Sequence, residues 1–232
     1  IPGSMGIVRD LFAEGLVIPP VHLRKRGVLQ RGFMRLLARN VRGSDERLID
    51  LAAQEASLSQ LQDRLHALVA EHGLATVRRT TSALMDYTER AGRALIRTLK
   101  NGIYRANDHL DGDGLGGGRL QINLQLRIRK EHAEFDWTGT CDQAVGGVNA
   151  NPGIALAASV YSLRCLCPGR LPTNDGLFRL LSLRTRPGSL VNPRAPAPVA
   201  GGNVETSQRL VDVCLAALAP AARLRRPGSS AA

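Results

Sequence analysis

The residues best suited to bind a ligand or to catalyse a reaction lie together near the carboxyl end of the chain, in the run Gly201-Gly202-Asn203-Val204-Glu205-Thr206-Ser207-Gln208-Arg209. A glycine pair before a helix start leaves backbone N–H groups at the positive end of the helix dipole, which suits an anionic or carbonyl ligand. Glu205 and Arg209 add a carboxylate and a guanidinium to the same place. The run predicts either a ligand site or a helix start that Asn203 and the hydroxyl residues after it merely cap.

A second cluster of carboxylates lies in the run Asp108-His109-Leu110-Asp111-Gly112-Asp113-Gly114. Clustered carboxylates suit a hard cation such as calcium. The spacing does not fit a calcium loop, because Leu120 stands where the bidentate Glu would be required. We therefore expect a turn in which Asp side chains bind nearby backbone amides.

Other catalytic motifs are weak or missing. Arg119 replaces the third glycine of a dinucleotide fingerprint after Gly114, and the chain has no phosphate-binding loop of the Gly-x-x-x-x-Gly-Lys-Ser/Thr type. Pro2 breaks the nucleophile elbow that Ser4 would otherwise suggest. Cys141, beside Asp142, is the most attractive isolated nucleophile, but a buried thiol is the preferred interpretation for the cysteines.

Composition excludes several classes of protein. The net charge of +11 would suit a nucleic-acid binder. Lysine, however, is confined to three positions and no basic run is interleaved with aromatic residues, so we expect no nucleic-acid partner. No apolar run approaches about 18 residues, so no membrane span is predicted. Four cysteines with no sign of a disulfide framework favour a reducing cytoplasm.

Hydrophobic periodicity predicts an α+β fold, in which a helical hairpin precedes a mixed or antiparallel sheet with flanking helices. Ser44 is expected to cap a helix whose leucines recur at three- and four-residue steps as far as Gly73, and a second helix follows up to Asn101. Residues 120–129 alternate strictly between apolar and polar, which is typical of a strand. Strands are also expected at 103–107, 133–138 and 177–185, and helices at 154–166 and from Asn203 to about Leu218.

Four segments are expected along the chain. Residues 1–43 are predicted to be an extended, loop-rich segment, because Pro19-Pro20 forbids helix there. Residues 44–100 form the helical hairpin, and residues 101–219 form the α+β portion with Gly-rich loops. Residues 220–232 are expected to be a disordered tail.

The chain also resembles the hydantoinase B/oxoprolinase family over nearly its whole length. Motifs in the family's order carry this resemblance: Pro2-Gly3-Ser4-Met5, Glu14-Gly15-Leu16-Val17-Ile18-Pro19-Pro20-Val21, Asn40-Val41-Arg42, Asp50-Leu51-Ala52-Ala53-Gln54, Asp86-Tyr87-Thr88-Glu89-Arg90, Asp108 to Gly114, Asp136-Trp137-Thr138-Gly139-Thr140, Gln143, Gly146, Asn149, Asn174-Asp175-Gly176, Pro187 to Pro193 and Ala200 to Arg209. Each motif is weak alone, but their succession is specific. Because the chain opens on Ile1 rather than Met, and does so in the middle of a motif, we expect an amino-terminally truncated fragment of a longer protein.

The resemblance implies a B-type subunit or domain of an ATP-dependent hydrolase that opens a hydantoin or 5-oxoproline-like ring. It implies an A-type ATP-binding subunit or fused domain as partner, in a hetero-oligomer, and a divalent metal such as Mg, Mn or Zn. On this hypothesis Glu205, Asn203 and Arg209 are catalytic, and Gly201, Gly202, Asn149 and Gly139 bind substrate. Glu14 and His22 would contribute to the metal site.

Two alternatives stay open. An acetone- or acetophenone-carboxylase-like subunit shares the expected architecture and also activates a carbonyl with ATP. A non-catalytic fragment or assembly module is the alternative from another class. For Glu14 the alternative to a metal ligand is a structural role, as a loop carboxylate that binds backbone amides.

Overall fold

The computed structural model describes residues 7–167, 169 and 171–223. Its α-helices are α1 (Leu11–Glu14), α2 (Arg31–Asn40), α3 (Ser44–His72), α4 (Leu74–Thr98), α5 (Pro152–Cys165) and α6 (Glu205–Ala221). Its strands are β1 (Arg24–Lys25), β2 (Val28–Leu29), β3 (Gly102–Leu110), β4 (Leu120–Arg129), β5 (His132–Asp136) and β6 (Leu181–Arg184). Short 3-10 helices cover Asp175–Leu180 and Ala200–Asn203.

A four-stranded mixed sheet in the order β3-β4-β5-β6 is the centre of the fold. β3, β4 and β5 pair antiparallel, whereas β6 joins β5 in parallel. The strict alternation in β4 is realised, since its apolar side chains are buried in the core, at Leu120, Ile122, Leu124, Leu126 and Ile128. The α+β fold with a mixed sheet and flanking helices is confirmed.

Helix α6 covers this sheet and helix α5 packs against α6. Trp137 and Phe135 come from the sheet side of this core, and Leu210 and Cys214 come from α6. All four are completely buried. The apolar area removed from water between the sheet and α6 is the main source of stability for the elements that carry the loops described below.

The chain folds into two compact units. Gly15–Ser82 forms one unit, and residues 7–14 together with the described residues from Ala83 onward form the other. In the unit of Gly15–Ser82, α2 packs against α3 and the guanidinium of Arg24 pairs with the carboxylate of Glu55. The segment boundaries expected at residues 43, 100 and 219 stay a prediction.

Helix α2 departs from the extended structure expected over residues 1–43. Pro19-Pro20 excludes helix only in its neighbourhood, and no proline follows before Asn40. Phe33, Met34 and Leu37 then fall on one face of a helical turn, and Leu37 is buried. The amphipathic pattern of these residues therefore forms a helix within a segment that is otherwise rich in Gly and Pro.

The helix ends also differ from expectation in detail. Gly43, not Ser44, is the N-cap of α3, and its φ of 61° is one that glycine adopts without strain. Gly73 separates α3 from α4 as predicted. The strand expected at 177–185 begins only at Leu181, because residues 177–180 belong to the 3-10 helix Asp175–Leu180. The tail from residue 224 lies outside the described residues.

One polar motif on α4 forms ion pairs with the 3-10 helix that precedes β6. Arg179, in the 3-10 helix, places its guanidinium 2.9 Å from Asp86 and 3.1 Å from Glu89 of α4. Hydrogen bonds from Arg93 and from Arg179 hold the pKa of Glu89 below its usual value. Within the described part of the chain, no helix combines the length and apolar character needed to cross a bilayer.

Candidate functional site

A polar cavity of about 430 Å³ opens where three loops of the larger unit meet. The first wall is the end of β3 and the loop after it, from His109 to Gly114. The second wall is Gly147 and Val148. The third is the start of α6, with Gly201, Glu205 and Arg209, and Ile7 completes the lining among the described residues.

Hydrogen bonds join the three walls in pairs. The Asp113 carboxylate of the first wall accepts a hydrogen bond from Gly146 N at 2.9 Å, beside the second wall. Gly201 N of the third wall donates to Gly147 O of the second at 2.7 Å. Arg209 of the third wall donates to the Asp108 carboxylate at the end of β3, at 3.0 Å. These hydrogen bonds connect the segments that form the three walls.

Asp113 organises the first wall. Its Oδ1 accepts hydrogen bonds from Leu115 N at 2.9 Å and Gly117 N at 3.4 Å, which is the Asp-stabilised turn expected from the sequence. Burial opposes ionisation of this carboxyl, but the backbone donors of Leu115, Gly146 and Gly117 outweigh burial and lower the pKa of Asp113. The wall therefore carries a fixed negative charge at neutral pH.

Glu205 and Arg209, which the sequence analysis assigned to one site, both line the cavity from α6. Glu205 is exposed in the first turn, where a carboxylate complements the helix dipole. The Arg209 guanidinium lies 3.0 Å from Asp108 and 3.7 Å from Asp212, so its orientation is set by two carboxylates. A carboxylate acceptor and an oriented guanidinium donor are suitable partners for the N–H and C=O of an amide.

The glycine pair before α6 serves close packing more than ligand approach. Gly202 lies so near the Asn149 carbonyl that a Cβ would stand 1.9 Å from that oxygen. Its N–H donates to Val199 O, and Gly201 N–H donates to Gly147 O. The expectation that both N–H groups are exposed to a ligand is therefore wrong, because the chain itself uses them.

Asn203 does not cap α6, contrary to expectation. The N-cap is Val204, without a side-chain cap, because the preceding 3-10 helix carries the chain into α6. Asn203 instead lines a separate cavity of about 520 Å³ between α5 and α6, with Tyr161 and Val211. Asn203 is not among the residues that line the polar cavity, and its catalytic role stays a prediction.

Asn149 and Gly139 also lie outside the cavity lining. Asn149 is completely buried, and its amide accepts from Ala144 N and donates to Ala144 O, Gly146 O and Pro198 O. It supports the second wall from behind. Gly139 lies in the turn after β5, where its carbonyl accepts a 2.7 Å hydrogen bond from the Asn123 side chain. Substrate binding by these two residues stays a prediction.

Glu14 anchors the loop that leads to the third wall. Its Oε1 accepts hydrogen bonds from Val199 N at 2.7 Å and Ala200 N at 2.8 Å. This is the structural role expected for Glu14 as the alternative to a metal ligand. His22 belongs to the unit of Gly15–Ser82 and is exposed there. Among the described residues no group of three or more His, Cys, Asp or Glu side chains could hold a metal ion. The described residues do not fit a metal site on their own, and the Glu14 and His22 assignment stays a prediction.

The first wall is the part of the site that sequence reasoning did not predict. The motif from Asp108 to Gly114 forms the expected turn, but the same turn also places His109, Asp111 and Asp113 beside α6. The contact depends on the bond between Asp113 and Gly146, which are 33 residues apart. A contact between residues so far apart cannot be predicted from local sequence pattern. The position of the motif in the family's order was the one feature of the sequence that could have indicated a functional role.

The cysteines offer no strong nucleophile. All four are free. Burial, followed by the nearby charge of Asp142, raises the pKa of the Cys141 thiol, which lowers its thiolate fraction at neutral pH. Burial raises the pKa of Cys214 to about 12. The expectation of buried thiols is correct for Cys214 alone, because Cys141 and Cys167 are half-buried and Cys165 is exposed.

Similar proteins are considerably longer than this chain. An uncharacterised protein of Methanocaldococcus jannaschii is 37% identical over 219 residues, which cover 94% of this chain and 38% of that protein. The 5-oxoprolinase of Dictyostelium discoideum is 30% identical over 220 residues, covering 93% of this chain and 17% of the enzyme. The chain therefore spans well under half the length of these curated relatives.

Two solved structures share the fold. The ATP-dependent caprolactamase of Pseudomonas jessenii superposes with a TM-score of 0.86 and 30% identity, covering 96% of this chain and 38% of that chain. An acetone carboxylase in its nucleotide-free state superposes with a TM-score of 0.81 and 17% identity, covering 95% of this chain and 31% of its own, which shows the fold alone. The family model described as hydantoinase B/oxoprolinase matches residues 1–232. The chain belongs to the hydantoinase B/oxoprolinase family.

Proposed function

We propose that this chain forms the substrate-facing part of an ATP-dependent enzyme that opens a cyclic amide, such as a hydantoin or a 5-oxoproline-like ring. The observation that carries the proposal is the polar cavity at the start of α6, where two family motifs distant in sequence meet. Family membership and the fold shared with caprolactamase support the same reaction class.

The residues of the cavity have definite roles in this proposal. Arg209, oriented by Asp108 and Asp212, donates a hydrogen bond to the ring carbonyl. Glu205 accepts a proton, from a ring N–H or from the attacking water. The Asp113 turn and the bond from Gly201 to Gly147 hold these groups at fixed positions, which limits the entropy lost when the ring binds.

ATP belongs to a companion in this proposal. The sequence has no phosphate-binding loop, so we assign nucleotide binding to an A-type subunit or fused domain in a hetero-oligomer. ATP would activate an amide whose resonance otherwise makes it resistant to water. The part of this chain is to bind the ring, orient its carbonyl and accept a proton.

Ring opening by the complete gene product, mixed with an A-type companion and ATP, tests the proposal. We expect hydantoin to yield its ring-opened product with release of ADP, measured by liquid chromatography. Glu205→Gln should lower kcat by about 10²–10⁴-fold, the range for loss of a general base. Glu71→Gln, the same change on the exposed surface of α3, is the matched control and should leave the rate unchanged.

Different results would point elsewhere. Unaltered turnover by the Glu205→Gln protein would contradict the role of Glu205. Turnover that requires bicarbonate and adds carbon to the substrate would replace the hydrolase with a carboxylase. Absence of any ATP-dependent reaction across hydantoin, lactam and ketone substrates would favour an assembly role.

A further inference from the structure

The charges around the polar cavity bear on which cyclic amides it accepts. The lining carries three carboxylates, on Asp111, Asp113 and Glu205. Arg209 is the permanently charged cation among the lining residues that the structure describes. It is already paired with Asp108 and Asp212. The local charge is therefore negative, and it stays negative even when His109 carries a proton.

We propose that the cavity selects cyclic amides without a carboxylate, such as hydantoins and simple lactams, over anionic rings such as 5-oxoproline. This inference rests on the proposed function and narrows it. Similarity alone does not separate the two classes, since the chain is 30% identical to both a 5-oxoprolinase and the caprolactamase structure. The charge of the walls provides the distinction.

The surroundings of Arg209 disfavour a second anion. An arginine that recognises a ligand carboxylate offers its planar fork to two oxygens of the ligand. Here one terminal nitrogen, Nη1, already serves Asp108 at 3.0 Å and lies 3.7 Å from Asp212. An incoming carboxylate would compete with these two protein carboxylates for the same group. A neutral carbonyl brings no negative charge into this competition.

The other carboxylates add repulsion. The Asp113 carboxylate is fixed in its charged form by three backbone amides. The Asp111 side chain is 93% exposed, and its Oδ1 lies 3.5 Å from His109 Nε2. Glu205 is on the opposite wall. An anionic ring would approach these like charges on both sides, whereas a neutral ring would not, and the difference should weaken in salt because exposed charges are screened.

A matched pair of small molecules tests this selectivity. 2-Pyrrolidone and 5-oxoproline share the same five-membered lactam ring and differ by one carboxylate. We expect the purified protein to bind 2-pyrrolidone about fivefold more tightly at low ionic strength, measured by ligand-observed NMR titration. The ratio should approach one in about 1 M salt, where the screening length is about 3 Å.

A pair of variants locates the effect. Asp111→Asn should reduce the preference to about twofold, because it removes one repulsive charge from an exposed side chain. Asp63→Asn removes the same charge from the exposed surface of α3 and should leave the preference unchanged. Equal reduction in both variants would overturn an assignment to the cavity in favour of net charge.

The outcomes separate this inference from the proposed function. Equal binding of the two rings, or tighter binding of 5-oxoproline, would overturn the selectivity while a ring-binding cavity stands. Binding of neither ring at any salt concentration would overturn both, because the cavity would then not be a ring-binding site.

Discussion

Asp113 joins the stability of the protein to the geometry of the cavity. Its carboxylate receives backbone N–H groups from its own turn and from Gly146, and it is only 7% exposed. A charge placed there is stable only because those donors replace the water it has lost. The same bonds fix one wall of the cavity against another, so acid should affect both the fold and the site.

The pH dependence of stability follows from the lowered pKa of Asp113. In the unfolded chain an Asp carboxyl titrates near pH 3.9, so the charged group stabilises the fold above that value. That contribution is lost as the pH falls through the lower folded-state pKa. Urea unfolding at several pH values should show Asp113→Asn less stable by about 1–3 kcal/mol at pH 7, with the gap narrowing below pH 4.

A suitable control for this measurement is Asp63→Asn, since Asp63 is exposed on α3. Its unfolding curve should follow the unsubstituted protein at every pH. A constant difference between Asp113→Asn and the unsubstituted protein, from pH 7 to pH 3, would contradict a stabilising charge at this position.

At the scale of elements, the close approach of two loops determines where α6 begins. The 3-10 helix Ala200–Asn203 passes directly over the backbone of residues 147–150. Gly202 permits this approach, and Thr206 in the first turn of α6 adds a hydrogen bond to Val148 O. The third wall of the cavity therefore depends on a residue without a side chain.

Gly202→Ala tests this dependence. A Cβ would lie 1.9 Å from the Asn149 carbonyl oxygen, so the two loops must separate. We expect a loss of about 1–3 kcal/mol in the free energy of unfolding, the range for a side chain forced into a packed site. Gly32→Ala is the control, because Gly32 lies in α2 with open space around it. There alanine should stabilise the helix by about 0.5–1 kcal/mol.

Local pattern is sufficient to predict some elements and insufficient for others. The alternation in β4 and the long leucine periodicity of α3 each predict their element, because the pattern extends over many residues. The sequence places the N-cap of α6 one residue early, at Asn203 rather than Val204, because packing on residues 147–150 holds Asn203 in the 3-10 helix. Glu205 and Arg209 could be chosen from the sequence because they belong to one local run. Their neighbours on the β3 loop could not, because their contact with this run is long-range.

At the scale of the whole molecule, burial is concentrated around the mixed sheet. Helix α3 contains no buried residue, and its leucines at positions 58, 61, 65 and 68 are all exposed. The leucines of β4, by contrast, are enclosed between the sheet and α6. The stability of the chain should therefore respond very differently to the same substitution in the two places.

Leucine truncation measures this contrast. Leu126→Ala, at a fully buried site in β4, should cost about 2–5 kcal/mol through lost transfer energy and a cavity. Leu61→Ala, at a position that is 53% exposed, should change the free energy of unfolding by no more than about 0.5 kcal/mol. Thermal unfolding followed by circular dichroism compares the two. Equal losses would show that α3 contributes to a buried core in solution.

The backbone frame of the cavity and its exposed charges are separate sets of residues. Bonds through Asp113, Gly147 and Gly201 hold the walls, whereas Asp111 and Glu205 project from them. Under the proposed selectivity, a substitution at the projecting positions alters which rings bind while the framework keeps its shape. On the same proposal, a few point changes at this rim are enough to change the ring preference, with no redesign of the scaffold.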